Sequence, residues 1–262
     1  MGKRGQVSVF VFIGIVIVVL VILFLFLRTR VYIGPATQQD LEAELAPIED
    51  NIKECVMENV GPMLDELGRN GGYLDPAPGT YRLYRGNTVA YLCYNIQNRP
   101  YCRPRVLRLK DMEEQLEEAL LEDLEECIDV QGFKKIGLDL ESGELDIDIE
   151  IGEDVTSVII DLPLKITKGD TFVELREFSV DINKPLGRLY DVMREAVNGE
   201  ATVGDFETVL YSAAKTKLTS KLYYVEIIDK PYPDKLYMAT IKDYPNQEDT
   251  YIFQFFIEGE PR

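Results

Sequence analysis

The stretch Glu144-Leu-Asp-Ile-Asp-Ile-Glu-Ile151 alternates acid and aliphatic at every step. A period of two puts Leu145, Ile147, Ile149 and Ile151 on one face of a strand and Glu144, Asp146, Asp148 and Glu150 on the other. One side is apolar and one is wet, as in an antiparallel sheet with a single buried face. Phe172-Val-Glu-Leu-Arg-Glu-Phe-Ser-Val-Asp-Ile182 continues in similar style. Turn residues at Glu141-Ser-Gly143, Gly152-Glu-Asp154 and Lys168-Gly-Asp170 divide 135–183 into a predicted antiparallel meander.

Upstream the period changes to that of a helix. Leu109, Met112, Leu116, Leu120, Leu124 and Cys127 form one face, and Glu113, Glu114, Glu117, Glu118, Glu122, Asp123, Glu125 and Glu126 crowd the rest, which reads as a solvated surface. Tyr81–Tyr84 and Val89–Tyr94, separated by Arg85-Gly-Asn-Thr88, predict a hairpin. Leu41, Leu45, Ile48, Ile52 and Cys55 form another helical seam, which Pro47 interrupts. Pro47 with Glu49 and Asp50 fits the first turn of a second helix ending near Gly68. Downstream, Pro185 opens a helix through Leu186, Leu189, Met193 and Val197, a further helix falls near 205–217, and 222–228, 236–242 and 251–257 read as strands. Strands and helices segregate rather than alternate, so the fold class is α+β.

The N-terminus is of another kind. Val7–Leu27 is 21 residues in which only Ser8 and Gly14 are not strongly apolar. As a helix it is about 32 Å long, against about 30 Å of bilayer hydrocarbon. It is apolar all round and ends in Arg28-Thr-Arg30, unlike the short core and small-residue cleavage site of a secretory leader. The expected division is therefore 1–6, a short basic N-terminus; 7–27, a transmembrane helix in the lipid bilayer; 28–40, a linker; 41–130, a helix–hairpin–helix subdomain; and 131–262, a β-rich α+β subdomain.

Charge and cysteine usage place the domain. The 46 acidic residues outnumber the 28 basic ones, so a nucleic-acid partner is not expected. Histidine is absent, which removes imidazole-based triads and histidine metal sites. Cys55, Cys93, Cys102 and Cys127 make an even number, with three possible pairings. Cys93 and Cys102 flank a turn-rich loop that a disulfide can clip, and Cys55 and Cys127 lie on helix-like segments that one can staple; four buried free thiols are the alternative. Basic residues nearly balance across 7–27, so orientation rests on the cysteines: N-terminus cytoplasmic, main domain extracellular.

No catalytic, cofactor or metal residue is assigned. Asp146, Asp148 and Glu150, with Glu141 and Glu144 nearby, offer oxygens to a hard cation, but they lack the calcium-loop pattern and read more simply as the wet face of a strand. A carboxylate pair for glycoside chemistry arises easily by chance among 46 acids. Nucleophile-elbow, phosphate-loop, dinucleotide and zinc-protease motifs are missing.

Two stretches carry a resemblance. Lys3-Arg-Gly-Gln6 followed by the apolar helix resembles the class III signal peptide of archaeal type IV pilin-like proteins. That resemblance implies cleavage between Gly5 and Gln6, with the helix retained as anchor and assembly stalk. The fifth residue of such a processed chain, glutamate in pilins, is Phe10 here. Pro47, Ile48, Ile52 and Cys55, Gly71-Gly-Tyr73 and Leu186-Gly-Arg-Leu-Tyr190, with the Gly5-Gln-Val7 anchor start, are similar to a group of uncharacterised archaeal single-pass membrane proteins. The group implies a cell-surface location and no assigned chemistry. The leading expectation is a membrane-anchored structural or interaction protein with a protein partner or self-association at the surface. A pilin-like filament subunit and a carboxylate-based surface hydrolase are the alternatives.

Overall fold

The structure is a computed structural model describing residues 38–97, 99–128, 139–168, 171–228, 233–242 and 250–259, together with Ile17 and Val19. In chain order the elements are α1 (Gln38–Arg69), β1 (Tyr81–Tyr84), β2 (Asn87–Tyr94), β3 (Arg103–Pro104), α2 (Leu109–Cys127), β4 (Asp139–Ser142), β5 (Asp146–Ile151), β6 (Thr156–Lys168), β7 (Thr171–Ile182), α3 (Leu186–Val203), α4 (Thr208–Thr219), β8 (Leu222–Ile228), β9 (Lys235–Lys242) and β10 (Ile252–Ile257). The fold is α+β with one antiparallel and one mixed sheet.

The first sheet is built on β6. Its alternation is that of the sequence: Ile147, Ile149 and Ile151 are buried and Asp146, Asp148 and Glu150 exposed. The expected meander is corrected in its connectivity. β5 pairs with Thr156–Asp161 and β4 with Leu164–Thr167 along the same edge of β6, while β7 runs along the other edge. The physical reason is Pro163. It lacks an N–H for the ladder, and the register with β7 shifts between Asp161 and Leu164, so the long strand is broken into two pairing segments.

The second sheet has the order β1-β2-β10-β9-β8, with β3 on β2. It departs from the antiparallel expectation because β10 lies parallel to β2, pairing Phe256 with Tyr91 and Ile257 with Cys93. The turn after α1 meets both strands: the Ala90 N–H donates to Asn70 O and the Gln254 amide to Arg69 O. Gly68 is required there, because a Cβ would stand 2.5 Å from the Ile252 carbonyl oxygen.

α1 corrects the predicted break at Pro47. Helix begins at Gln38, inside the expected linker, and continues through Pro47 and Pro62 to Arg69. Each internal proline costs about 3 kcal/mol. Ile48, Ile52, Cys55, Val56, Val60, Leu64 and Leu67, each at most 2% exposed, form one uninterrupted stripe. At about 1.5–3 kcal/mol per buried large aliphatic side chain, the stripe outweighs both prolines. Gly61 also removes the side-chain clash that a residue before proline suffers.

The expected subdomains 41–130 and 131–262 share one core. α1 packs on β7 and β10 and α2 on β5, so Leu64, Leu116, Ile149, Val158, Phe178, Leu189 and Phe253 belong to a single buried cluster. Among the described residues no helix is long and apolar enough to cross a membrane. The segment 7–27 lies outside them except for Ile17 and Val19, which are helical and exposed. Gly5, Gln6, the expected boundary between 130 and 131 and the Lys168-Gly-Asp170 turn beyond Lys168 also lie outside them.

Candidate functional site

All four cysteines are paired. Cys55 of α1 joins Cys127 at the end of α2, with Cα atoms 5.8 Å apart across 72 residues of sequence. Cys93 of β2 joins Cys102 just before β3, Cα atoms 5.4 Å apart, and clips the intervening loop. Both pairs are those the sequence positions suggested.

Against that loop lies a cleft of about 150 Å3, walled by Asn95, Tyr101, Glu200, Gly204, Lys235 and Glu258. Glu200 sits in the last turn of α3 and is 4% exposed. A carboxylate so placed needs partners. Lys235 Nζ donates to its Oε1 and Oε2 at 2.7 and 2.9 Å, and the Tyr237 hydroxyl donates to Oε1. Lys235 also reaches Gly204 O at 3.4 Å. Gly204 ends α3 with φ of 76°, and a Cβ on it would approach the Tyr101 ring to 3.2 Å. Across the cleft the Asn95 N–H donates to Glu258 Oε2 at 2.8 Å. The engaged Glu200 carboxylate anchors α3 to β9. The sequence reading missed this group, yet Glu200 is the next step of the stripe Leu189, Met193, Val197, and a lone acid on an apolar face signals a buried pair.

The acids singled out from the sequence are placed elsewhere. Asp146, Asp148, Glu150, Glu141 and Glu144 are all exposed, and Glu141 pairs with Lys165 at 3.4 Å. No group of three or more carboxylates or thiolates among the described residues could hold a metal ion. Two glutamates assigned to the solvated face of α2 instead meet the sheet. Glu117 Oε1 accepts the Ile149 N–H at 3.1 Å and Glu113 Oε1 the Ile151 N–H at 2.9 Å. They cap the edge of β5 that does not face β6, and so occupy donors that would otherwise invite another strand.

Further carboxylates tie elements together. Asp154 accepts from Arg188 Nε and Nη2 at 2.6 and 2.8 Å and from Lys221 at 2.6 Å. The Arg188 hydrogen bonds chiefly hold its carboxyl down at about 2. Asp234 accepts from Arg82, the Tyr91 hydroxyl and the Gly259 N–H. Burial and that bond to Asp234 push the Tyr91 phenol up to about 12. Asp111 and Asp161 are held below the usual carboxylate range by hydrogen bonds from Arg108 and Arg176. No protein-family model, curated protein or solved structure matches this chain.

Proposed function

We propose that the chain is a membrane-anchored cell-surface interaction protein. Residues 7–27 span the bilayer, the N-terminus is cytoplasmic, and the disulfide-closed α+β domain works outside through contacts with protein. The observation that carries this reading is the closure of both cysteine pairs, since a reducing compartment keeps such thiols free. The apolar run 7–27 supplies the tether. Carboxylates tied up in ion pairs suit a scaffold better than a hydrolase.

Protease added to intact cells is expected to digest the domain, and alkaline washing to leave the chain in the membrane pellet. Protection of the domain in intact cells together with digestion in lysed ones would overturn the orientation, and release by alkali would overturn the tether. A second reading, the pilin-like filament subunit, draws support from Lys3-Arg-Gly-Gln6 and from the helical state of Ile17 and Val19. It requires a mature chain beginning at Gln6.

A further inference from the structure

α4 is turned inside out relative to an ordinary surface helix. None of its residues is buried. Its half-buried side is largely polar: Thr216 Oγ1 accepts the Tyr223 N–H at 3.1 Å and Lys215 pairs with Glu195 at 3.0 Å, while the Tyr211 ring alone packs on the core, 5.0 Å from the Phe206 ring. Its outward side is Val209, Leu210, Ala213, Ala214, Lys217 and Leu218, with Val209 78%, Leu210 68% and Leu218 81% exposed. Single exposed apolar residues need no explanation, but a stripe at helical spacing marks a contact surface.

We infer that the occupant of this stripe is α4 of a second copy of the chain, laid antiparallel across a two-fold axis. Two observations select that partner. The outward positions are symmetric about the midpoint between Ala213 and Ala214, so an antiparallel copy sets Val209 against Leu218, Leu210 against Lys217 and Ala213 against Ala214. A two-fold contact demands this self-complementarity, and the alanines at its centre let the two backbones approach closely. The charges match as well. Glu207 at the N-terminal end and Lys217 near the C-terminal end are both exposed, and antiparallel packing brings each to the other one turn away, twice per dimer. From Thr208 to Val225 the chain holds no acidic residue, so here two copies with a formal charge of -18 each meet with little repulsion. The contact is independent of where the domain resides and does not rest on the tether.

The test is the molar mass of the full chain in mild detergent, by light scattering or sedimentation over about 1 to 100 µM, for the parent and four variants. The parent is expected to dimerise and Ala214→Glu to be monomeric across the range, with a melting temperature equal to that of the parent when both are diluted to where the parent is monomeric, because Ala214 is exposed in the protomer. Glu207→Lys and Lys217→Glu are each expected to weaken dimerisation roughly three- to tenfold, as two exposed ion pairs are lost per dimer. The double reversal, Glu207→Lys with Lys217→Glu, is expected to restore it. Within one helix these residues are about 15 Å apart, so restoration reports a contact between copies. A monomeric parent would overturn the inference and leave the stripe to another protein. A dimer that survives Ala214→Glu would overturn it by placing the contact elsewhere, the segment 7–27 included, and a double reversal no better than the singles would contradict the antiparallel arrangement.

Discussion

α2 and α4 are both helices packed beside a sheet, yet they turn opposite chemistry to solvent. α2 buries Met112, Leu116, Leu120 and Leu124, fixes its end through Cys127, and shows Glu114, Glu118, Glu122 and Glu125 to water. α4 has no fully buried residue, rests on hydroxyls, Lys215 and the Tyr211 ring, and shows Val209, Leu210 and Leu218. The stability of α2 therefore lies inside the protomer. Apart from Tyr211, α4 keeps its apolar surface unused by the fold, which is what a surface held in reserve for another molecule looks like.

The strongest way to break this contrast is to remove the staple on α2. A denatured chain closed over 72 residues loses about 4 kcal/mol of chain entropy. Cys55→Ser with Cys127→Ser is expected to lower unfolding stability by about that amount in chemical denaturation. A loss below about 1 kcal/mol would mean that α2 is held by packing alone. Next comes Leu116→Ala, a truncation at a fully buried position, expected to cost about 3 kcal/mol by the same measurement.

The edge cap is smaller and sharper. Glu117→Ala leaves the Ile149 N–H without its acceptor and is expected to cost about 1–2 kcal/mol and to speed amide exchange at Ile149, whereas Glu118→Ala, one residue on and exposed, is expected to change neither. The Asp154 joint gives a pH signature. Its folded-state pKa lies below the unfolded value, so its contribution is present above about pH 4 and is lost as pH falls toward about 2. The Asp154 side chain is 39% exposed. Screening at that exposure reduces the stake to about 1 kcal/mol, and Asp154→Asn is expected to flatten the corresponding part of the stability–pH profile. The smallest effect completes the contrast. At a concentration where the parent is monomeric, Leu218→Ala on α4 is expected to stay within about 0.5 kcal/mol of the parent in stability, although it is the same truncation as Leu116→Ala.

What the sequence made legible follows the range of the interactions. The alternation of Ile147, Ile149 and Ile151 and the stripe Met112 to Leu124 are local periodicities, and both faces came out as read. Both cysteine pairs were accessible because their flanking segments were already assigned. The joining of β4 and β5 to one edge of β6 and the parallel pairing of β10 with β2 depend on partners many residues distant, which no local period encodes. The uninterrupted α1 defeated a local rule, since Pro47 breaks an isolated helix but not one whose buried stripe runs on through it. Glu113 and Glu117 looked like their neighbours because acceptance of a strand N–H leaves no mark on composition.

The tethered, outward-facing reading is tested most directly by the intact mass of protein taken from its native membrane, denatured and alkylated before any reductant is added. The expected mass carries no alkyl group, because Cys55–Cys127 and Cys93–Cys102 are closed in place. A mass with four alkyl groups would put every thiol in a reducing compartment and contradict the extracellular placement of the domain.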